Sequence, residues 1–276
     1  MTVPSKGLST RDALDIATSA LDGAEDRPGQ RAMAEAVASA IGTERHLIVQ
    51  AGTGTGKTLG YLVPVVMSGR KTIISTATIA LQDQLASKDL PLLVDHLAPA
   101  LDIDFQWAVL KGRHNYICRQ RLSESLGSPD DPTLPIGDEP PSARLRTQLA
   151  KVEEWARKTT TGDIAELPMT LSDNLRRSIT VTSDECPGAS KCPAGSNCFA
   201  ERARYAANDA DVVVVNTHLY GIDVAANGGF LPEHEVVVID EVHNLEGIIS
   251  ESTGVSLSAG RLASAAGAIK RIVTDA

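Results

Sequence analysis

Residues 46–58 read HLIVQAGTGTGKT, and no other stretch restricts the fold so tightly. An apolar, β-branched run enters a turn made almost entirely of Gly and Thr, and Lys57 and Thr58 then open a helical pattern. Gly52, Gly54 and Gly56 permit backbone conformations in which successive amides point inward around an anion, and the helix N-terminus behind them adds its dipole. Thr53 and Thr55 complete this loop. Lys57 is placed to reach β- and γ-phosphates, and the Thr58 hydroxyl to ligate Mg²⁺. The strict phosphate-loop pattern has Gly at position 51, where this chain has Ala51; a methyl group still fits a tight turn. Such a loop needs a buried strand before it and a packed helix after it, which implies an α/β sheet.

Four further runs fit that sheet: TIIST (72–76), WAVL (107–110), DVVVVN (211–216) and EVVVID (235–240). With HLIVQ (46–50) they are nearly continuous rather than alternating, as strands covered on both faces are. Helical patterns fall between them. QRAMAEAVASAI (30–41) puts Met33, Val37 and Ile41 on one stripe, and IALQDQLA (79–86) and the residues after Lys57 are further helices. Strands alternating with helices mean βαβ units and a parallel sheet.

VVVIDEVH (236–243) supplies what a phosphate loop lacks. Asp240 leaves a buried strand and suits the metal's coordination shell. Glu241 beside it can orient and deprotonate an attacking water, and His243 follows in the same segment. Two adjacent acids at a strand end can also be ordinary loop charges; a phosphate loop in the same chain favours the catalytic reading.

Between 111 and 205 the alternation stops. Five prolines fall within 129–141, RLRTQLAKVEEWARK (144–158) reads as an amphipathic helix, and FAERARYAAN (199–208) reads as a short one. The chain has four cysteines, Cys118, Cys186, Cys192 and Cys198, in the spacing C-x67-C-x5-C-x5-C. Three of them sit among Pro, Gly, Ser and Asn, where buried core thiols are not expected. The sequence has no secretory h-region and no apolar run long enough for a membrane span, so a cytoplasmic, reducing setting is expected and disulfides are disfavoured. Structural zinc favours C-x2–4-C knuckles, which are missing here. An iron–sulfur cluster, zinc and plain thiols all remain open on spacing alone, with the cluster ahead.

The net charge of −9 argues against wholesale polyanion binding, but charge is unevenly spread. Residues 111–205 hold 14 Lys/Arg against 13 Asp/Glu, and the remainder 12 against 22. Lys111, Arg113, His114, Arg119 and Arg121 cluster around the first cysteine, with Tyr116 among them, and Arg176 and Arg177 precede the others. These are candidate contacts to nucleic-acid phosphates, as are the hydroxyls of Thr76 and Thr78; the competing reading is a solvated charged face.

Taken together, these motifs resemble a known group. Asp240-Glu241-Val242-His243 is similar to the DEAH-type box of superfamily 2 helicases. RPGQ (27–30) resembles their adenine-reading motif, which implies contacts to the base from Arg27 and Gln30. STATIALQDQL (75–85) resembles motif Ia. LKGRHNYIC (110–118) and VVVVNTHL (212–219), with the cysteine spacing, are similar to the DinG/XPD-type iron–sulfur DNA helicases. The resemblance implies a RecA-like α/β domain that binds ATP and Mg²⁺ and moves 5′ to 3′ on single-stranded DNA to unwind duplexes and forks. It also implies a 4Fe–4S cluster on the four cysteines. The implied division is 1–110 and 206–246 for the first RecA-like domain, 111–205 for a cluster-bearing insert, and 247–276 for the start of an arch-like helical insertion. No second RecA-like domain is visible in these residues, so an N-terminal part of a longer helicase is expected. The alternative is a truncated ATP- and DNA-binding module without motor action.

Overall fold

The computed structural model describes residues 7–21, 25, 27–52, 54–127 and 143–253. The proline-rich stretch at 129–141, Thr53 and most of the expected arch segment lie outside the described residues.

The chain opens with two helices, α1 (Thr10–Ser19) and α2 (Pro28–Thr43). Ser9 and Asp12 cap α1 reciprocally, each side chain bonding the other's backbone N–H, and Pro28 starts α2 where a missing N–H costs nothing. The glycine turn leads into α3 (Lys57–Ser68), and β1 (Thr72–Thr76) follows. A helical run then continues from α4 (Ile79–Gln84) through α5 (Leu90–Leu92) and α6 (Ala98–Leu101), with wide π turns at Leu85–Asp89 and Leu93–Leu97. β2 (Trp107–Leu110), β3 (Val212–Asn216) and β4 (Val236–Ile239) complete the sheet, with α11 (Thr217–Ala225) between β3 and β4 and α12 (Leu245–Thr253) after β4.

The four strands are parallel in the order β2-β3-β1-β4. Alternate residues serve opposite faces. Ile74, Val212 and Val214 pack under α1, α3 and the α4–α6 run, with Leu62, Val65, Leu85, Leu93 and Leu97. Ile73, Val213 and Val215 pack on the other face with Ala207, Ala210 and Leu219. This is the parallel α/β sheet expected from the alternating runs, and it fits the RecA-like fold that the resemblance implies.

One expected strand does not form. Residues 45–50 join no ladder, and Ile48 is 90% exposed. A run of apolar residues becomes a strand only where a neighbour takes its N–H and C=O groups. The outer edge of β4 is without a partner among the described residues, and its residues are only half-buried.

Between β2 and β3 the chain builds a second apolar centre. α7 (Arg119–Leu126), α8 (Ala143–Lys158) and α9 (Asp173–Ile179) surround Ile117, Leu122, Leu149, Val152, Leu175 and Phe199. α10 (Phe199–Asp209) carries the chain back, contributing Phe199 to this centre and Ala207 to the sheet.

Candidate nucleotide site and cysteine recess

The carboxyl ends of the strands gather the expected phosphate-site residues, the usual place for a ligand in an open parallel sheet. Gly54 and Gly56 both have φ of +79°, the left-handed region that side chains rarely adopt. Thr55 closes the turn by donating its hydroxyl to the Gly52 carbonyl at 2.7 Å. Gln30, 5% exposed, donates from Nε2 to the Gly56 carbonyl at 2.8 Å. A Cβ at position 56 would lie 2.3 Å from that nitrogen, so any larger residue there would displace the Gln30 side chain. Gln30 and Arg27 also line an open recess against α1, together with Leu14, Asp15 and Thr18.

Asp240 continues the β4 ladder, its N–H donating to the Ser75 carbonyl at 2.9 Å. Its Oδ1 accepts from the Glu241 N–H at 2.9 Å, and its Oδ2 accepts from the Tyr61 hydroxyl at 3.3 Å. Glu241 has φ of +55°, unusual for a side-chain-bearing residue, and that bend directs its carboxylate back to the loop. There Glu241 Oε1 meets Lys57 Nζ at 2.8 Å, and His243 Nδ1 lies 3.3 Å from Oε2. The hydrogen bond and charge of Lys57 hold the Glu241 carboxyl below its usual range, and the same pair raises Lys57.

Tyr61 was not among the residues the sequence pointed to. It is 4% exposed, and burial next to Asp240 pushes its phenol well above the usual range. A signal was present: Tyr61 is the one phenol in the helix KTLGYLVPVVMS, and a buried phenol needs a partner.

The second site lies in the segment between β2 and β3. All four cysteines are free and half-buried, and all four line one recess. Cys118 caps α7, its Sγ accepting from the Arg121 N–H at 3.5 Å. Cys198 begins α10. Gly188, at φ +84°, turns the loop so that the Cys192 N–H reaches its carbonyl at 3.1 Å. Gly195 permits the closest approach: a Cβ there would lie 2.0 Å from the Ala189 carbonyl oxygen. Burial pushes the Cys118 thiol up, offset in part by backbone N–H donors. Arg119 also lines the recess, and its Nε is buried without a partner. Among the described residues no three His, Cys, Asp or Glu side chains stand together as a ready site for a single ion; the thiols surround a space instead.

Several basic residues read as a nucleic-acid rim are spent inside this segment. Arg113 pairs with Glu201, each 15% exposed, and Lys111 pairs with Asp163 at 2.6 Å. Arg119 donates to the Ala156 carbonyl at 3.2 Å and lies over the Phe199 ring at 4.3 Å. Tyr116 is 5% exposed, its hydroxyl accepting from the Lys111 N–H at 3.1 Å. Thr76 is fully buried in the sheet, and Thr78 caps α4 through Leu81 N–H at 3.2 Å. The insert needs these partners because it must pair its own buried charges. His114, Arg176 and Arg177 stay exposed, and Arg121 keeps only a loose pair with Glu185 at 3.4 Å.

A family model described as DEAD/DEAH box helicase matches residues 27–100. The chain is 42% identical, over 98% of its length, to the ATP-dependent helicase DinG of Mycobacterium tuberculosis, of which it covers 42%. It is 40% identical, over 88% of its length, to the ATP-dependent DNA helicase YoaA of Escherichia coli, covering 37% of that protein. A protein of Bacillus subtilis named 3′-5′ exonuclease DinG is 32% identical over 85% of this chain, which covers 24% of it. The chain thus spans less than half the length of these curated relatives. No helix of the described residues is long and apolar enough to cross a membrane.

Proposed function

This chain belongs to the DinG type of the DEAD/DEAH-box helicases, and from that membership we propose that it supplies the ATP-hydrolysing half of a DNA helicase. The observation that carries the reading is the meeting of Lys57 and Glu241 at 2.8 Å, with Asp240 beside them, at the carboxyl edge of the sheet. Lys57 leaves Glu241 to bind the β- and γ-phosphates, and the inward amides of Gly54 to Lys57 hold their oxygens. Glu241, released, orients water and accepts its proton; His243 stands against the same carboxylate. Gln30, tied to the Gly56 carbonyl, presents its remaining oxygen with Arg27 to the base, linking base recognition to the loop.

DEAD/DEAH helicases use ATP with Mg²⁺. Thr58 and Asp240 fit Mg²⁺, which takes oxygen ligands and commonly uses one or two from the protein alongside phosphates and waters. It would supply charge neutralisation at the phosphates. The four cysteines fit a 4Fe–4S cluster: their donor set is four cysteine sulfurs lining one recess, with the Arg121 N–H donating to Cys118 Sγ. Such a cluster would supply a covalent staple for the insert. A reducing cytoplasm suits four unpaired thiols.

In this reading residues 1–110 and 206–246 form the nucleotide domain, 111–205 the cluster-bearing insert, and 247–276 the start of an arch-like insertion. The partner is single-stranded or forked DNA, met by the exposed Arg176, Arg177 and His114, with a second RecA-like domain in the full-length protein. Movement runs 5′ to 3′. The test is unwinding by the full-length protein of forks carrying a 5′ tail or a 3′ tail alone. ATP-dependent opening of the 5′-tailed fork is expected. Opening of the 3′-tailed fork alone overturns the polarity, and opening of neither overturns the helicase reading.

A further inference from the structure

Tyr61 ties α3 to the residue that follows β4. Its hydroxyl donates to Asp240 Oδ2 at 3.3 Å across a separation of 179 residues. Asp240 is held from its other side by the Glu241 N–H at 2.9 Å, and it is 9% exposed.

The direction of this bond matters. Asp240 Oδ2 accepts from Tyr61 and Oδ1 from the Glu241 N–H, so both carboxylate oxygens are fixed while each keeps a further lone pair. Breaking the Tyr61 bond would leave a buried polar group without a partner, so the arrangement is held before any ligand arrives.

We propose that Tyr61 is a positioning residue that orients Asp240 for the divalent cation that accompanies ATP. The proposal rests on the nucleotide-site reading given above. In this role Tyr61 acts only through the Asp240 side chain. Partners of this outer kind are typically worth about 10–100-fold in metal affinity, and a single 3.3 Å bond points to the lower end.

The experiment uses the 276-residue chain and the substitution Tyr61→Phe, which keeps the buried ring. Binding of fluorescent N-methylanthraniloyl-ATP is titrated with Mg²⁺, and separately in EDTA; Mn²⁺ binding is followed by electron paramagnetic resonance. The Mg²⁺ concentration for half-maximal binding should rise about tenfold, with metal-free affinity unchanged and Mn²⁺ affinity reduced in parallel. In an Asp240→Ala background the same substitution should change little, because the residue through which it acts is gone. An unchanged Mg²⁺ midpoint overturns the proposal. So does an equal loss with and without Mg²⁺, which would mark a merely structural role, and so does full additivity with Asp240→Ala. A wild-type chain whose nucleotide binding ignores Mg²⁺ would instead sink the underlying metal reading. A Mg²⁺-dependent wild type with an indifferent Tyr61→Phe sinks only the role of Tyr61.

Discussion

Lys57 and Glu241 stand 184 residues apart and close on each other at 2.8 Å, so that the proposed phosphate-binding cation and the proposed water-activating carboxylate neutralise one another. Nucleotide binding has to separate them. Lys57→Ala should abolish nucleotide binding, whereas Glu241→Gln should keep binding and lose turnover by at least about 10²-fold. Equilibrium binding beside steady-state hydrolysis checks this; equal loss of binding in both variants would contradict the assigned roles.

The same pair sets a pH dependence. The Glu241 carboxyl is depressed, chiefly by its hydrogen bond from Lys57, so its contribution to stability is present above the ordinary glutamate range. It is lost as the pH falls through the depressed value. Lys57 is raised, chiefly by the bond to Glu241, so its contribution is present below the ordinary lysine range and is lost as the pH rises through the raised value. The melting difference between wild type and Glu241→Gln should be flat around neutrality and shrink at both extremes. Because the carboxylate is half-exposed, the difference should be small and fade in salt.

The cysteine recess predicts a brown protein under anaerobic purification, with iron and sulfide at about four each per chain. Cys192→Ser should bleach it and open residues 111–205 to protease. Gly195→Ala should do nearly the same without touching a thiol, because the added methyl meets the Ala189 carbonyl oxygen at 2.0 Å. Stoichiometric zinc without sulfide would end the cluster reading.

Arg113 and Glu201 test structural against DNA-binding roles. Neutralising either member of this half-buried pair should destabilise the insert by about 1–3 kcal/mol, read as a lowered melting temperature. Arg177→Gln, on an exposed side chain, should leave melting alone, weaken single-strand binding and flatten its salt dependence. If Arg113 were a DNA contact, Glu201→Gln would strengthen DNA binding rather than disturb the fold.

Gly162→Ala should be among the most damaging single changes in the insert. Gly162 has φ of +67°, and a Cβ there would lie 2.2 Å from the Phe199 ring, which Arg119 and Arg202 cover at 4.3 and 4.7 Å. A loss of about 2–4 kcal/mol is expected in thermal unfolding. Near-neutral behaviour would mean that the ring can move away.

Sequence alone was sufficient for whatever short-range pattern controls. The β-branched runs at 72–76, 107–110, 211–216 and 235–240 became the four strands to within a residue, and the stripe of Met33, Val37 and Ile41 faces the core. The glycine loop was legible because side-chain-bearing residues rarely adopt the +79° of Gly54 and Gly56. Long-range pairing was decided by the tertiary structure. HLIVQ has every local mark of a strand, yet its ladder depends on a neighbour that local pattern cannot supply. Lys111 and Arg113 read as a basic rim because charge looks alike whether it meets phosphate or a carboxylate brought in from 50 to 90 residues away. Tyr61 looked like one more apolar helix position until folding set its hydroxyl against Asp240. A side chain's chemistry is written at its own position, but its role depends on the partner it meets, and for these residues that partner arrives only when the sheet assembles.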